Sequence, residues 1–336
     1  MTDNQLKYSH LFWLFPPSII YIIFEYVRGQ LGTGQMGVFS LEPFKGLERE
    51  EINRRIFFIT ATSCFIVFSI LSVGFIIWDM IKNLKFKKLH ILLVPFVVLA
   101  GLVTYNMINT SGHFAFSYEI FGVDKAIIDG QSVVKRNFFF EALNLSDSRL
   151  SELFLRIFNV VVITLVLAVF GVVCGAISCL GMGDEGSEKD VKVALARLET
   201  YLLLSAVLMV LGLVYYMSYM YWASFITTPN AADFKSYNQI VKNMTIFTGI
   251  TYSLMIASYY LPIRYILISR LRALEGEKEE TGKDKGEAPA TIIQKAVDFF
   301  SVSADQRQVY SYVFKIASPV VVAWVSQYLN LGGTLG

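Results

Sequence analysis

Charge is scarce in this chain, and histidine and cysteine are scarcer still. Charged residues make up 17% of its 336 positions, with 29 Lys+Arg against 27 Asp+Glu for a formal net charge of +2. So even a balance provides no field to attract an acidic partner, and no basic, aromatic-interleaved surface occurs outside the apolar stretches. Nucleic acid is therefore not an expected partner. Three histidines, His10, His90 and His113, show no metal-ligand spacing, so nothing points to a metal centre. The three cysteines, Cys64, Cys174 and Cys179, lie inside apolar stretches rather than in loops, and read as small buried hydrophobes. A glycine-rich phosphate loop ahead of Lys-Ser/Thr is also missing, which excludes ATP-driven transport by this chain alone. No cofactor is expected.

Hydrophobic residues, by contrast, are 54% of the chain, and mean hydropathy is +0.52. Uninterrupted apolar stretches run over Ile56–Ile81, Ile91–Ile108, Ile157–Cys179, Tyr201–Ile226 and Met244–Ile268. A membrane-spanning helix needs about 20 mostly apolar residues in a row, and soluble core helices rarely stay apolar all round for so long. The expected fold class is an all-α polytopic transmembrane helix bundle with these five spans. Leu11–Val27 is a sixth candidate; it is interrupted by Pro16 and Pro17 and either spans or lies at the interface. The stretch Val309–Leu329 is a seventh, suited either to a last span or to packing against a partner subunit.

Lysine and arginine bias orients the bundle. Lys82, Lys85, Lys87 and Lys88 follow the 56–81 span, and Arg264, Arg270 and Arg272 close the 244–268 span. Both groups are expected on the cytoplasmic side, together with the 183–199 connection, leaving 109–155 as an external segment. The four lysines are also candidates for contact with lipid headgroups. Residues 273–290 are almost all charge and glycine and read as a flexible linker. Within 291–336, Ile292, Ile293, Ala296, Val297, Phe299 and Phe300 recur at helical spacing, predicting an amphipathic helix ahead of the hydrophobic C-terminal segment. Asp147–Arg156 is expected to lead as a helix into the 157–179 span. A plasma membrane or bacterial inner membrane is the expected location.

Residues that might carry chemistry are few. Gly181-Met182-Gly183-Asp184 resembles the GxGD motif of intramembrane aspartyl proteases, with Asp79 as the second carboxylate on the same side. The polar run from Glu185 to Asp190 and the absence of that family's other elements favour a helix ending at glycines. Gly175-Ala176-Ile177-Ser178 has no base near Ser178 and reads as small residues that let helices approach closely. Tyr215, Tyr216, Tyr219, Tyr221 and Trp222 read as an aromatic belt at the headgroup level.

Polar residues within spans cost most in lipid and are the better pointers. Asn106, Asn159 and Arg264 are the candidates for a pore lining or for bonds between helices. With no mid-span carboxylate or lysine, a proton-relay transporter is disfavoured. The expected function is a non-enzymatic channel or pore-type protein acting as a homo-oligomer in the lipid bilayer. The alternative is a membrane anchor or sensor subunit that binds a protein partner through its tail or external segment, and an intramembrane enzyme ranks third.

Overall fold

The computed structural model describes residues 8–32, 48–84, 90–98, 101, 147–181, 187–227, 231–280 and 306–328. Among them every regular element is a helix. A 3-10 turn over Tyr8–Leu14 leads into α1 (Phe15–Gly32), followed by α2 (Glu48–Asn83) and α3 (90–98). Then come α4 (Asp147–Ser178) with a 3-10 turn at Cys179–Gly181, α5 (Glu188–Thr227), α6 (Ala231–Glu280) and α7 (Gln306–Tyr328).

Four of the described helices are long and apolar enough to cross a membrane: Asn53–Asn83, Ile163–Gly181, Glu188–Trp222 and Asn238–Leu274. They coincide with the stretches expected at 56–81, 157–179, 201–226 and 244–268. Shorter apolar helices cover His10–Phe24 and Tyr310–Ser326. The 91–108 stretch is described only over 90–98 and at 101, and the external segment lies outside the described residues up to 146. So do 281–305, with the expected amphipathic helix.

Helices here run longer than the apolar stretches that mark them. Backbone polar groups in lipid must be satisfied internally, which favours unbroken helices. At about 1.5 Å per residue, the 40 residues of α5 and 50 of α6 reach well beyond a hydrocarbon core about 30 Å thick. At its start α5 absorbs most of the expected 183–199 connection, and α6 continues to Glu280, into the expected linker. Ser187 caps the start of α5: its Oγ accepts from Asp190 N at 3.2 Å and donates to Asp190 Oδ2 at 2.7 Å. As expected, α4 begins at Asp147. Pro16 and Pro17 do not interrupt α1, because they occupy its first turn, where the missing N–H has no intrahelical acceptor.

The core is shared by α2, α4, α5 and α6, with α1 against α6 and α7 against both α6 and α5. Phe24 of α1 stacks on Phe247 of α6 at 5.2 Å. The C-terminal stretch packs, as α7, on α5 and α6. Gly249 makes this possible: a Cβ there would sit 2.8 Å from both Pro319 O and Ala323 Cβ. Gly175 does the same between α4 and α5, since its Cβ would fall 2.2 Å from the Tyr201 ring. The small-residue reading of Gly175–Ser178 thus holds at Gly175.

The aromatic belt expected on α5 is a correction. Tyr215, Tyr219 and Trp222 recur at helical spacing, and their shared face turns inward on α2. Phe58 stacks on Trp222 at 5.1 Å and approaches Tyr219 at 5.7 Å, while Phe65 stacks on Tyr215 at 5.9 Å. Trp222 is 0% exposed, so this cluster is core, not a headgroup-level rim.

Gly249→Ala should force α6 and α7 apart and cost about 1–3 kcal/mol. Gly212→Ala meets only ordinary contacts from 3.5 Å outward and should be neutral or gain from helix propensity. Thermal unfolding in detergent compares the two, and equal midpoints would contradict the close approach at Gly249.

Candidate functional site

One end of the bundle gathers the last turn of α2, the end of α4, the first turns of α5, the last apolar turns of α6 and the start of α7. Asp79 sits one turn before the end of α2 and is 9% exposed. Asn83, four residues on, donates from Nδ2 to Asp79 Oδ1 at 2.8 Å and to Asp79 O at 2.9 Å. Across the interface, Arg197 and Tyr201 of α5 are also four apart and share a face. Arg197 Nε donates to Asp79 Oδ2 at 3.2 Å, its Nη2 pairs with the same oxygen, and the Tyr201 hydroxyl donates to it as well. The carboxylate is thus bound on both oxygens, and the guanidinium neutralises it. Such full satisfaction is what a buried ion pair needs to persist.

The network continues away from Asp79. Tyr201 lies against Gly175, whose carbonyl accepts Ser178 Oγ at 2.5 Å. One turn further along α5, Ser205 donates to Tyr201 O at 2.7 Å and shares a short hydrogen bond with the Tyr259 hydroxyl of α6. Around the α5 surface, Glu199 accepts a hydrogen bond from the Tyr312 hydroxyl of α7. The Arg264 guanidinium lies 4.4 Å from the centre of the Tyr312 ring, with Lys315 Nζ at 5.7 Å and the Tyr260 ring at 6.4 Å. A cation over an aromatic face is attracted by the ring quadrupole, more strongly where water is excluded. Arg264 is 5% exposed. Arg270 Nη1 donates to Leu180 O at 2.8 Å and so tethers the turn that ends α4. These contacts together tie α2, α4, α5, α6 and α7 into one polar belt.

Of the residues singled out from the sequence, Arg264 belongs to the belt. Lys82 lies on the last turn of α2, exposed, with Nζ 5.0 Å over the Trp78 ring. Lys85, Lys87, Lys88 and Asn106 lie outside the described residues. Asn159 falls on α4, with its side chain outside the description. Asp184 is outside as well, and Asp79, weighed as its partner, pairs with the Arg197 guanidinium. Sequence reasoning missed Arg197, Glu199, Tyr201 and Tyr312. The available signals were the Ser187–Asp190 cap, which extends α5 back past Arg197, and the four-residue Arg197–Tyr201 spacing.

Comparison with protein-family models, curated proteins and solved structures gives no match. The functional reading therefore rests on the belt and on the membrane setting.

Asp79→Ala would remove the carboxylate that Arg197 pairs with, and Arg197→Ala would strand Asp79; each should cost about 1.5–3 kcal/mol. Removing both partners should cost clearly less than the sum of the single changes, and Tyr201→Phe about 1.5–3 kcal/mol. A double-mutant cycle on unfolding in detergent reads this coupling, and strict additivity would show that the pair does not act as a unit.

Proposed function

We propose that this chain is a non-enzymatic, channel-type membrane protein that acts as a homo-oligomer, with the polar belt as the latch of a gated passage between helices or subunits. The observation that carries the reading is the largely water-shielded Asp79–Arg197 pair toward one end of helices apolar enough for lipid. Charged groups at such positions are expensive, and where they occur in membrane proteins they mark ion pathways and switching elements. A well-packed apolar pair would hold the helices at least as firmly, so stability alone does not account for this one.

The rest of the bundle fits a shut state. The belt closes one end, and the Phe58–Trp222 cluster fills the other. By the lysine bias around Lys82, the belt is on the cytoplasmic side, in a plasma or bacterial inner membrane. Asn106 and Asn159 are the lining candidates. The sensor reading draws on a different contact. Tyr312 pins α7 through one hydroxyl bond and one ring face, a hold that a protein partner of the tail would compete with.

Ion flux through the purified protein in liposomes, measured with the mass of the assembly, tests the reading. Flux from a defined oligomer, raised by Asp79→Asn, is the expected result. Silence in the wild type, in Asp79→Asn and in Tyr312→Phe alike would overturn the channel in favour of the anchor or sensor.

A further inference from the structure

Helices α1, α4, α5 and α6 line a half-open pocket of about 220 Å³. Pro17 and Ile22 of α1, Val169 of α4, Met209 of α5, and Tyr252 and Met255 of α6 are among the residues lining it. Val169, Met209 and Met255 each lie six or more residues from either end of the apolar helices Ile163–Gly181, Glu188–Trp222 and Asn238–Leu274. At 1.5 Å per residue that is roughly 9 Å or more inward, within a hydrocarbon core about 30 Å thick. The cavity's α1 wall is the bundle's perimeter: Ile22 is 65% exposed, and its neighbours Ile19 and Ile23 are 52% and 57% exposed. In a membrane that perimeter faces lipid.

Close-packed interiors hold few voids larger than a water molecule, so a space of this size calls for an occupant. An enclosed apolar cavity of about 150 Å³ stays dry and takes apolar guests; this pocket is larger, open on one side and mostly apolar, with Ser18, Tyr21 and Tyr252 also on its wall. At this depth the surrounding phase offers hydrocarbon chains and almost no water. Met209 and Met255, unbranched and polarizable, suit a wall that adapts to a flexible chain.

The geometry points to a site for one acyl chain of a membrane lipid, entering sideways past Ile22 and wedged between α1 and the α4–α5–α6 core. The headgroup takes no part, so the site selects for a hydrocarbon chain rather than a lipid class. It rests on the membrane setting alone and not on the channel reading.

A phosphatidylcholine with a diazirine midway along one acyl chain, in vesicles holding the full-length protein, is the direct probe. Photolabelling is expected at Met209 and Met255, residues buried from the perimeter, as well as at lipid-facing Leu71 of α2. Val169→Trp fills the cavity; displacing two methylenes' worth of chain should lower labelling at Met209 and Met255 about tenfold while leaving Leu71 unchanged. Labelling confined to Leu71 and other perimeter positions, or labelling of Met209 and Met255 indifferent to Val169→Trp, would overturn the site. The wild type carries a second readout that needs no substitution. Intact mass in mild detergent should show about one retained phospholipid per chain, and a lipid-free chain would likewise overturn the site.

Discussion

Within a bilayer, apolar surface gains little by turning from lipid to a neighbouring helix, because lipid tails are as apolar as leucine. Helices must then be held by close contact and by polar groups that have no better partner. Most hydroxyls of this bundle do not serve that end. Thr62, Ser72, Thr245 and Thr248 each donate to the carbonyl four residues back in their own helix, which satisfies them without joining anything. Among the described residues, bonds that cross between helices toward one end include those of Asp79, Ser205 with Tyr259, Glu199 with Tyr312, and Arg270 with Leu180.

That distribution divides the bundle into three levels. The belt is polar and cross-linked, and every long described helix contributes to it. The opposite end is an aromatic stack, where Phe58, Tyr215, Tyr219 and Trp222 fill space by shape and ring contact. Between the two, α1 leans on the core and leaves a void. Two close approaches brace the levels, Gly175 beneath Tyr201 and Gly249 beneath Pro319. The first aligns Tyr201 with Asp79; the second fixes α7 so that Tyr312 reaches Glu199. Neither polar contact would form if the backbones stood a methyl group further apart.

Hydropathy made the spans legible because lipid imposes one requirement on about 20 consecutive residues. The four long helices followed from it directly. It could not show the belt, whose members sit where apolar stretches fade into charge. Arg197 and Glu199 precede the unbroken apolar stretch that begins at Tyr201, where a charged run reads as a loop, although Ser187 and Asp190 already announce a helix. Arg264 stood out because it follows apolar residues inside a span. Asn159 stood out for the same reason, but polarity within a span says nothing about the direction in which a side chain points. The face of the α5 aromatics was fixed by α2, a neighbour that no local pattern identifies.

The buried pair carries a further consequence for how such a bundle moves. Once formed, Asp79–Arg197 adds little over an apolar contact of the same size; half broken, it leaves a charge in a poor solvent. The cost therefore lies in the intermediate arrangements and not in the end states. A contact with that profile favours two discrete packings over a continuum, which is the requirement for a switching element. Anything that supplies alternative partners to both Asp79 and Arg197 at once, such as water admitted at the end of the bundle, lowers the barrier without having to outbid the closed state. The pair lies beside the buried 3-10 turn at Cys179–Gly181, which Arg270 ties to α6.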